Sequence, residues 1–188
     1  DTMSKSAKRG ADMVRQLLTF AKGIEGQRQL LQLKHLIKEL EKIIEASFPK
    51  NIEIHTQYTM DLHPLLGDAT QLHQVLLNLC VNARVAMPQG GRLAIEAENI
   101  TIDTALAATM PEARVGHYVL CRVTDSGTGI PPQILERIFE PFFSTKGPDK
   151  GTGLGLSTVI GIVKSHGGFV RVDSTVGKGS TFSLYLPA

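Results

Sequence analysis

Tryptophan is absent from this chain of 188 residues, and tyrosine appears only three times. Lysine and arginine are scattered without forming a dense run, and the formal net charge is only +2. Nucleic-acid binding draws on clustered cations and stacking aromatics, so no nucleic-acid partner is expected. Cysteine is scarce too. Cys80 and Cys121 both sit inside apolar runs, which excludes a disulfide scaffold and reads as buried thiols in a reducing compartment. No apolar run nears the about 20 residues needed to span a bilayer. The polar opening residues carry no signal-peptide pattern. Two common phosphate-binding strings are also missing. Neither GxxxxGKS/T nor GxGxxG after a strand occurs, so neither a Walker loop nor a Rossmann dinucleotide site is expected. The chain opens at Asp1 rather than Met, and a fragment of something longer is expected.

Hydrophobic residues make up 42% of the sequence and charged ones 20%, enough for one substantial core with a short appendage. Met3, Ala7, Gly10, Val14, Leu17 and Ala21 alternate four and three apart, which predicts a helix over 1–22 with a seam needing a partner helix. The glycines of 23–29 mark a boundary. A second helix is predicted over 33–48, stopped by Pro49, and a long one over 69–87. Period-two alternation predicts strands at 52–58, 92–97, 117–124, 168–174 and 181–186. A short helix at 131–139 and another at 156–166 fall between strands, and 101–115 reads as a surface excursion. Strands outnumber what the helices can cover on both sides, so a sheet with helices on one face is expected.

Four clusters carry chemistry. Gln74, Asn78 and Asn82 are four apart and stack on one helix face opposite an apolar one. Their amides offer neutral oxygen ligands for a hard cation such as Mg²⁺ beside a triphosphate, although a solvated helix face has the same pattern. The string DSGTGI (125–130) follows a strand. Asp125 can accept the exocyclic amine of adenine, where guanine presents an oxygen, which would discriminate ATP from GTP. Gly127 and Gly129 allow close backbone approach to the base; a plain turn is the simpler alternative. Residues 139–146 place three phenylalanines and Lys146 ahead of GTGLGLS (151–157). Alternating glycines before a helix turn N–H groups toward phosphate, and Lys146 would bring a cation to the β/γ-phosphates. A flexible surface loop is the alternative there. Finally GKGSTF (177–182) is either a hairpin turn or a place where Thr181 meets the adenine edge, directly or through water.

These strings in this order resemble the catalytic ATP-binding domain of bacterial sensor histidine kinases. The wider group is the GHKL ATPases, with gyrase, the mismatch-repair protein MutL and the ninety-kilodalton heat-shock chaperones. HQVLLNLCVNA is similar to the asparagine box, DSGTGI and GTGLGLS to the first glycine boxes, FEPFF to the phenylalanine box and GKGSTF to the last glycine box. The resemblance covers 31–188. It implies an α+β fold, a two-layer α/β sandwich of the Bergerat type with a mixed sheet. It also implies Asn82 on Mg²⁺ and Asp125 on adenine, with Gly127, Gly129, Gly151, Thr152, Gly153, Leu154, Gly155 and Leu156 lining pocket and lid. Residues 9–23 resemble the second helix of the dimerisation and phosphoacceptor hairpin. The implied division is 1–26 for that partial hairpin and 27–188 for the catalytic domain. The implied partners are a phosphoacceptor His helix of the same or a partner protomer and a response-regulator receiver domain, in a protein that is dimeric at full length. The implied place is the cytoplasm, alone or as the inner portion of a membrane-bound sensor.

Asn78 separates the relatives. Hydrolysing members carry a Glu one turn before the metal-binding Asn, as base for water. An amide at 78 has no basic lone pair, which favours phosphoryl transfer to a better nucleophile over an ATP-gated clamp. A nucleotide-binding module without catalysis is the third reading. Departures from the family pattern are Val85, where many relatives carry a charge, and the acceptor histidine. None of the six histidines precedes an acid or lies in the N-terminal segment, so the fragment is expected to bind ATP without phosphorylating itself. His73 stays undecided, while His166 reads as a helix cap.

Overall fold

Pro49 shows how locally the chain punctuates itself. The computed structural model describes residues 27–144 and 153–188, and in it helix α1 (Leu33–Ser47) closes at Phe48, whose extended ψ of 153° is what a following proline imposes. Ahead of α1 lies a three-residue strand, β1 (Gln29–Leu31). After it come β2 (Ile52–Tyr58), β3 (Leu65–Gly67) and the long helix α2 (Ala69–Ala86). Asp68 caps α2 by accepting the Gln71 N–H at 2.9 Å. The rest of the chain supplies β4 (Gly91–Ile102), the one-turn helix α3 (Thr104–Ala108), β5 (Gly116–Asp125), α4 (Gly155–Ser165), β6 (Phe169–Thr175) and β7 (Gly179–Pro187). The helix expected over 1–22 falls outside the described residues.

The sheet runs β2-β4-β5-β7-β6, with β2 and β4 parallel and every other pair antiparallel. One face carries Leu93, Ile95, Val119, Cys121, Val123, Phe182 and Leu184. They pack against Ile37, Leu40 and Ile44 of α1, Val75, Leu76 and Leu79 of α2, and Val159, Ile162 and Val163 of α4. That is the expected mixed sheet with helices on one side. Cys80 and Cys121 belong to this core; burial pushes both thiols up to about 12, so they are inert at neutral pH. Among the described residues no helix is long and apolar enough to cross a membrane.

Two sequence expectations change, and one strand pairing is new. Residues 101–115 are more than a surface excursion: β4 continues to Ile102, and Ile102 and Met110 join Tyr118, Leu120, Phe169 and Tyr185 in a second apolar cluster on the opposite face of the sheet. The predicted helix at 131–139 is a single 3₁₀ turn, Pro132–Ile134, followed by mostly i→i+3 turns. A proline pair at 131–132 supplies no N–H at the entry, and the apolar Leu135, Ile138 and Phe139 hold the segment on the main core instead. Strands β1 and β3 pair with each other over three residues, too few for a periodic signal.

His166 has the structural role expected of it, with a longer reach. Its Nδ1 lies 2.8 Å from the Ile162 carbonyl, which can only accept, so Nδ1 carries the proton. Nε2 then accepts the Asp68 N–H at 3.0 Å, and one ring ties the end of α4 to the start of α2. His166→Ala is expected to lower stability by about 1–3 kcal/mol, since it leaves the Asp68 N–H without its acceptor; urea titration measures it.

Candidate functional site

Helix α2 presents Gln74, Asn78 and Asn82 half-buried along one stripe while Leu72, Val75, Leu76 and Leu79 face the core. The stripe looks at the start of α4. Asn78 Nδ2 donates to the Gly155 carbonyl at 3.3 Å. A Cβ added at Gly155 would lie 3.9 Å from the Asn82 amide nitrogen. The first turn of α4 holds no acidic residue, so its partial positive charge faces the two asparagines unopposed from within the helix.

β5 terminates in Asp125, which is 6% exposed. Asp125 shares strand parity with Val119, Cys121 and Val123, so its carboxylate lies on the helix side of the sheet. Oδ1 accepts the Gly127 N–H at 2.8 Å. Burial raises the Asp125 pKa, and the Gly127 and Ser180 backbone N–H groups pull against that rise. The loop that follows is tied to α2: Thr128 N–H donates to the Ala86 carbonyl at 3.0 Å. Ala86 is about one helical turn, roughly 6 Å of rise, beyond Asn82. Asp125 and Asn82 therefore open onto the same side of the sheet from neighbouring elements.

The glycines of DSGTGI have a nearer reason than approach to a base. A Cβ at Gly127 would come within 2.5 Å of the Ala86 carbonyl, and one at Gly129, where φ is +71°, within 2.2 Å of the Thr175 carbonyl. They let the loop pack on protein backbone. The phenylalanine segment meets the chain at Gly153 in a similar way. Phe142 has φ +67° and donates its N–H to the Gly153 carbonyl at 3.0 Å. A Cβ at Gly153 would meet the Phe142 carbonyl carbon at 2.5 Å. Leu154 is buried at the N-cap of α4, and Leu156 packs on the main core. Lys146, Gly151 and Thr152 lie outside the described residues.

Thr181 is displaced from the role expected of it. In the register Asp125 pairs with Ser180, and Thr181 pairs with Thr124. Thr181 Oγ1 sits 3.1 Å from Thr124 Oγ1, on the sheet face away from the helices and from Asn82, because side chains alternate along a strand. The residue beside the carboxylate is Ser180, 5% exposed. Its phase was readable from Phe182, Leu184 and Leu186, whose parity it shares.

No group of three or more His, Cys, Asp or Glu among the described residues is placed to hold a metal. A protein cage for a cation is thus missing from these residues. A single amide oxygen such as that of Asn82, completed by phosphate oxygens and water, is the kind of donor set Mg²⁺ accepts.

The fold defines an α/β domain of the two-layer type. The chain belongs to the family described as histidine kinase-, DNA gyrase B-, and HSP90-like ATPases, which it matches over residues 67–188. It is 43% identical over 185 residues to sensor kinase CckA of Brucella abortus (strain 2308), covering 98% of this chain and 20% of that protein. The chain thus spans about a fifth of that relative's length. The catalytic domain of histidine kinase ThkA superposes with a TM-score of 0.70 at 30% identity, covering 86% of this chain and 95% of that one. ThkA in complex with the response regulator protein TrrA gives 0.74 at 26%, covering 99% and 49%. Full-length ShkA in complex with AMPPNP gives 0.78 at 26%, covering 98% and 37%. The likeness falls on the catalytic ATPase domain of sensor histidine kinases.

Proposed function

We propose that the chain binds Mg²⁺-ATP in the hollow between α2, α4 and the DSGTGI loop, and passes the γ-phosphoryl to a histidine on a phosphoacceptor helix, for relay to a response-regulator aspartate. The observation that carries this is the buried Asp125 carboxylate opening onto the side of the sheet where Asn82 meets the N-terminus of α4. Asp125 accepts the adenine amine. Asn82 supplies a neutral oxygen to Mg²⁺, and the α4 N-terminus, with Gly153, Leu154, Gly155 and Leu156, faces the phosphates. Mg²⁺ supplies neutralisation of the triphosphate charge. Asn78 holds Gly155 through its amide and offers water no base. Lys146, Gly151 and Thr152 belong to the phosphate end and lid by sequence. Residues 1–26 serve as part of the dimerisation hairpin and 27–188 as the catalytic unit, within a dimeric protein acting in the cytoplasm.

The test mixes the chain with a separate hairpin carrying the acceptor histidine and γ-labelled ATP. Label on the hairpin, with negligible steady hydrolysis by the chain alone, is the expected result. Steady turnover without transfer would instead favour a clamp, and binding with neither would favour a sensing module. In calorimetry, Asn82→Ala is expected to remove the Mg²⁺-dependent part of the ATP affinity; equal affinity of the unaltered chain with and without Mg²⁺ would remove the metal assignment.

A further inference from the structure

Ser174 lies one strand beyond the pair just described. The register puts Ser174, Ser180 and Asp125 in one row across β6, β7 and β5, all on the face turned toward the helices. Ser174 Oγ has three neighbours: the Ile130 N–H at 2.8 Å, the Gly179 carbonyl at 3.0 Å and Ser180 Oγ at 2.9 Å. A hydroxyl has one proton and two lone pairs. The Ile130 N–H occupies one lone pair. The Gly179 carbonyl can only accept, so it takes the Ser174 proton. Only the second lone pair remains for Ser180, whose O–H must therefore donate to Ser174. The Ser180 proton is thereby held on the β6 side, and toward Asp125 and the hollow Ser180 offers lone pairs.

We infer that Ser174 is a positioning residue for nucleotide selection: by holding the Ser180 proton it makes the edge formed by Asp125 and Ser180 accept-only. The inference rests on Asp125 facing the purine. An accept-only edge suits a purine that presents amino hydrogens and opposes one that presents a carbonyl oxygen at the same place. Ser174 does this through Ser180 and through the Ile130 N–H, which also fixes the end of the DSGTGI loop.

Competition binding of ATP against ITP, in which the amine is replaced by a carbonyl oxygen, reads the effect. In Ser174→Ala the Ser180 O–H is released and can turn to donate to that oxygen. The preference for ATP over ITP is expected to fall about tenfold. Ser174→Thr, which keeps the hydroxyl, is expected to restore it. In a Ser180→Ala background, Ser174→Ala is expected to leave the ratio unchanged. A purely structural role for Ser174 would weaken both nucleotides by one factor and leave their ratio intact; that outcome overturns the inference while the ATP site stands. Absence of ATP binding by the unaltered chain overturns both. Should circular dichroism show Ser174→Ala unfolded, Ser174→Cys, whose thiol donates and accepts only weakly, is read in its place.

Discussion

Asp125→Asn is expected to lower ATP affinity by about 2–3 kcal/mol, roughly a hundredfold, because a charge-assisted acceptor becomes an amide that presents hydrogens to hydrogens. The same amide can donate to the oxygen of guanine, so GTP is expected to gain on ATP. The pH dependence follows from burial. Asp125 is pushed above its ordinary pKa despite the N–H groups of Gly127 and Ser180. A carboxyl whose folded pKa is raised holds an extra proton in the folded state. Its ionisation therefore costs stability above that pKa, and the cost vanishes as pH falls below the unfolded value. ATP binding has the opposite sign, because a protonated acid is a poor acceptor for the amine. Acidification through the raised pKa should relieve the folding cost and weaken ATP binding together, and both effects should be missing from Asp125→Asn. Calorimetry across pH, with urea titrations alongside, measures the pair. An ATP affinity that is the same in the variant and the unaltered chain removes Asp125 from the base site.

The features legible in the sequence are those written over many residues. Leu36, Ile37, Leu40, Ile43 and Ile44 gave α1 within one residue of its observed end, although Ile43 is exposed, and five strands followed from period-two alternation. What stayed hidden is short or divided between distant segments. Strands β1 and β3 have three residues each and find each other across α1 and β2. Ile102, Leu106 and Met110 belong to no single element with a period of two or of 3.6, and their partners Tyr118, Phe169 and Tyr185 come from three other strands. The pairing of Thr124 with Thr181 is a different kind of omission. The phase of β7 was available from Phe182, Leu184 and Leu186. That phase alone sets Ser180 on the helix side and Thr181 on the other. A neighbour in sequence is the wrong neighbour in a strand, so the hydroxyl beside the carboxylate is one residue earlier than expected. Gly127 and Gly129 were expected to admit a base; the groups that crowd them in the fold, the Ala86 and Thr175 carbonyls, belong to elements that only folding brings near.

Gly179→Ala is expected to be the most damaging single methyl in the last glycine box. An added Cβ would lie 1.9 Å from the Asp125 carbonyl oxygen, 2.8 Å from its carbon and 2.9 Å from the Ser126 Cα. All three are backbone atoms at the strand end that carries the Asp125 carboxylate, so no side chain can swing aside to make room. The local φ of +107° adds strain of its own. Overlap and strain together should cost about 3–5 kcal/mol, which threatens a domain of ordinary stability. Gly177, two residues earlier, is the control. Its φ is +79°, yet an added Cβ there meets nothing within 4 Å, so Gly177→Ala should cost only the conformational part, about 1–2 kcal/mol. Urea midpoints for the two variants separate packing from backbone strain. Similar midpoints would mean that β7 can move away from Asp125, and ATP affinity in Gly179→Ala would then survive as well. The expected result is a much lower midpoint for Gly179→Ala alone, with ATP binding lost in whatever fraction remains folded, because the methyl that opens the β5–β7 ladder also displaces the Asp125 carboxylate from the Ser180 N–H.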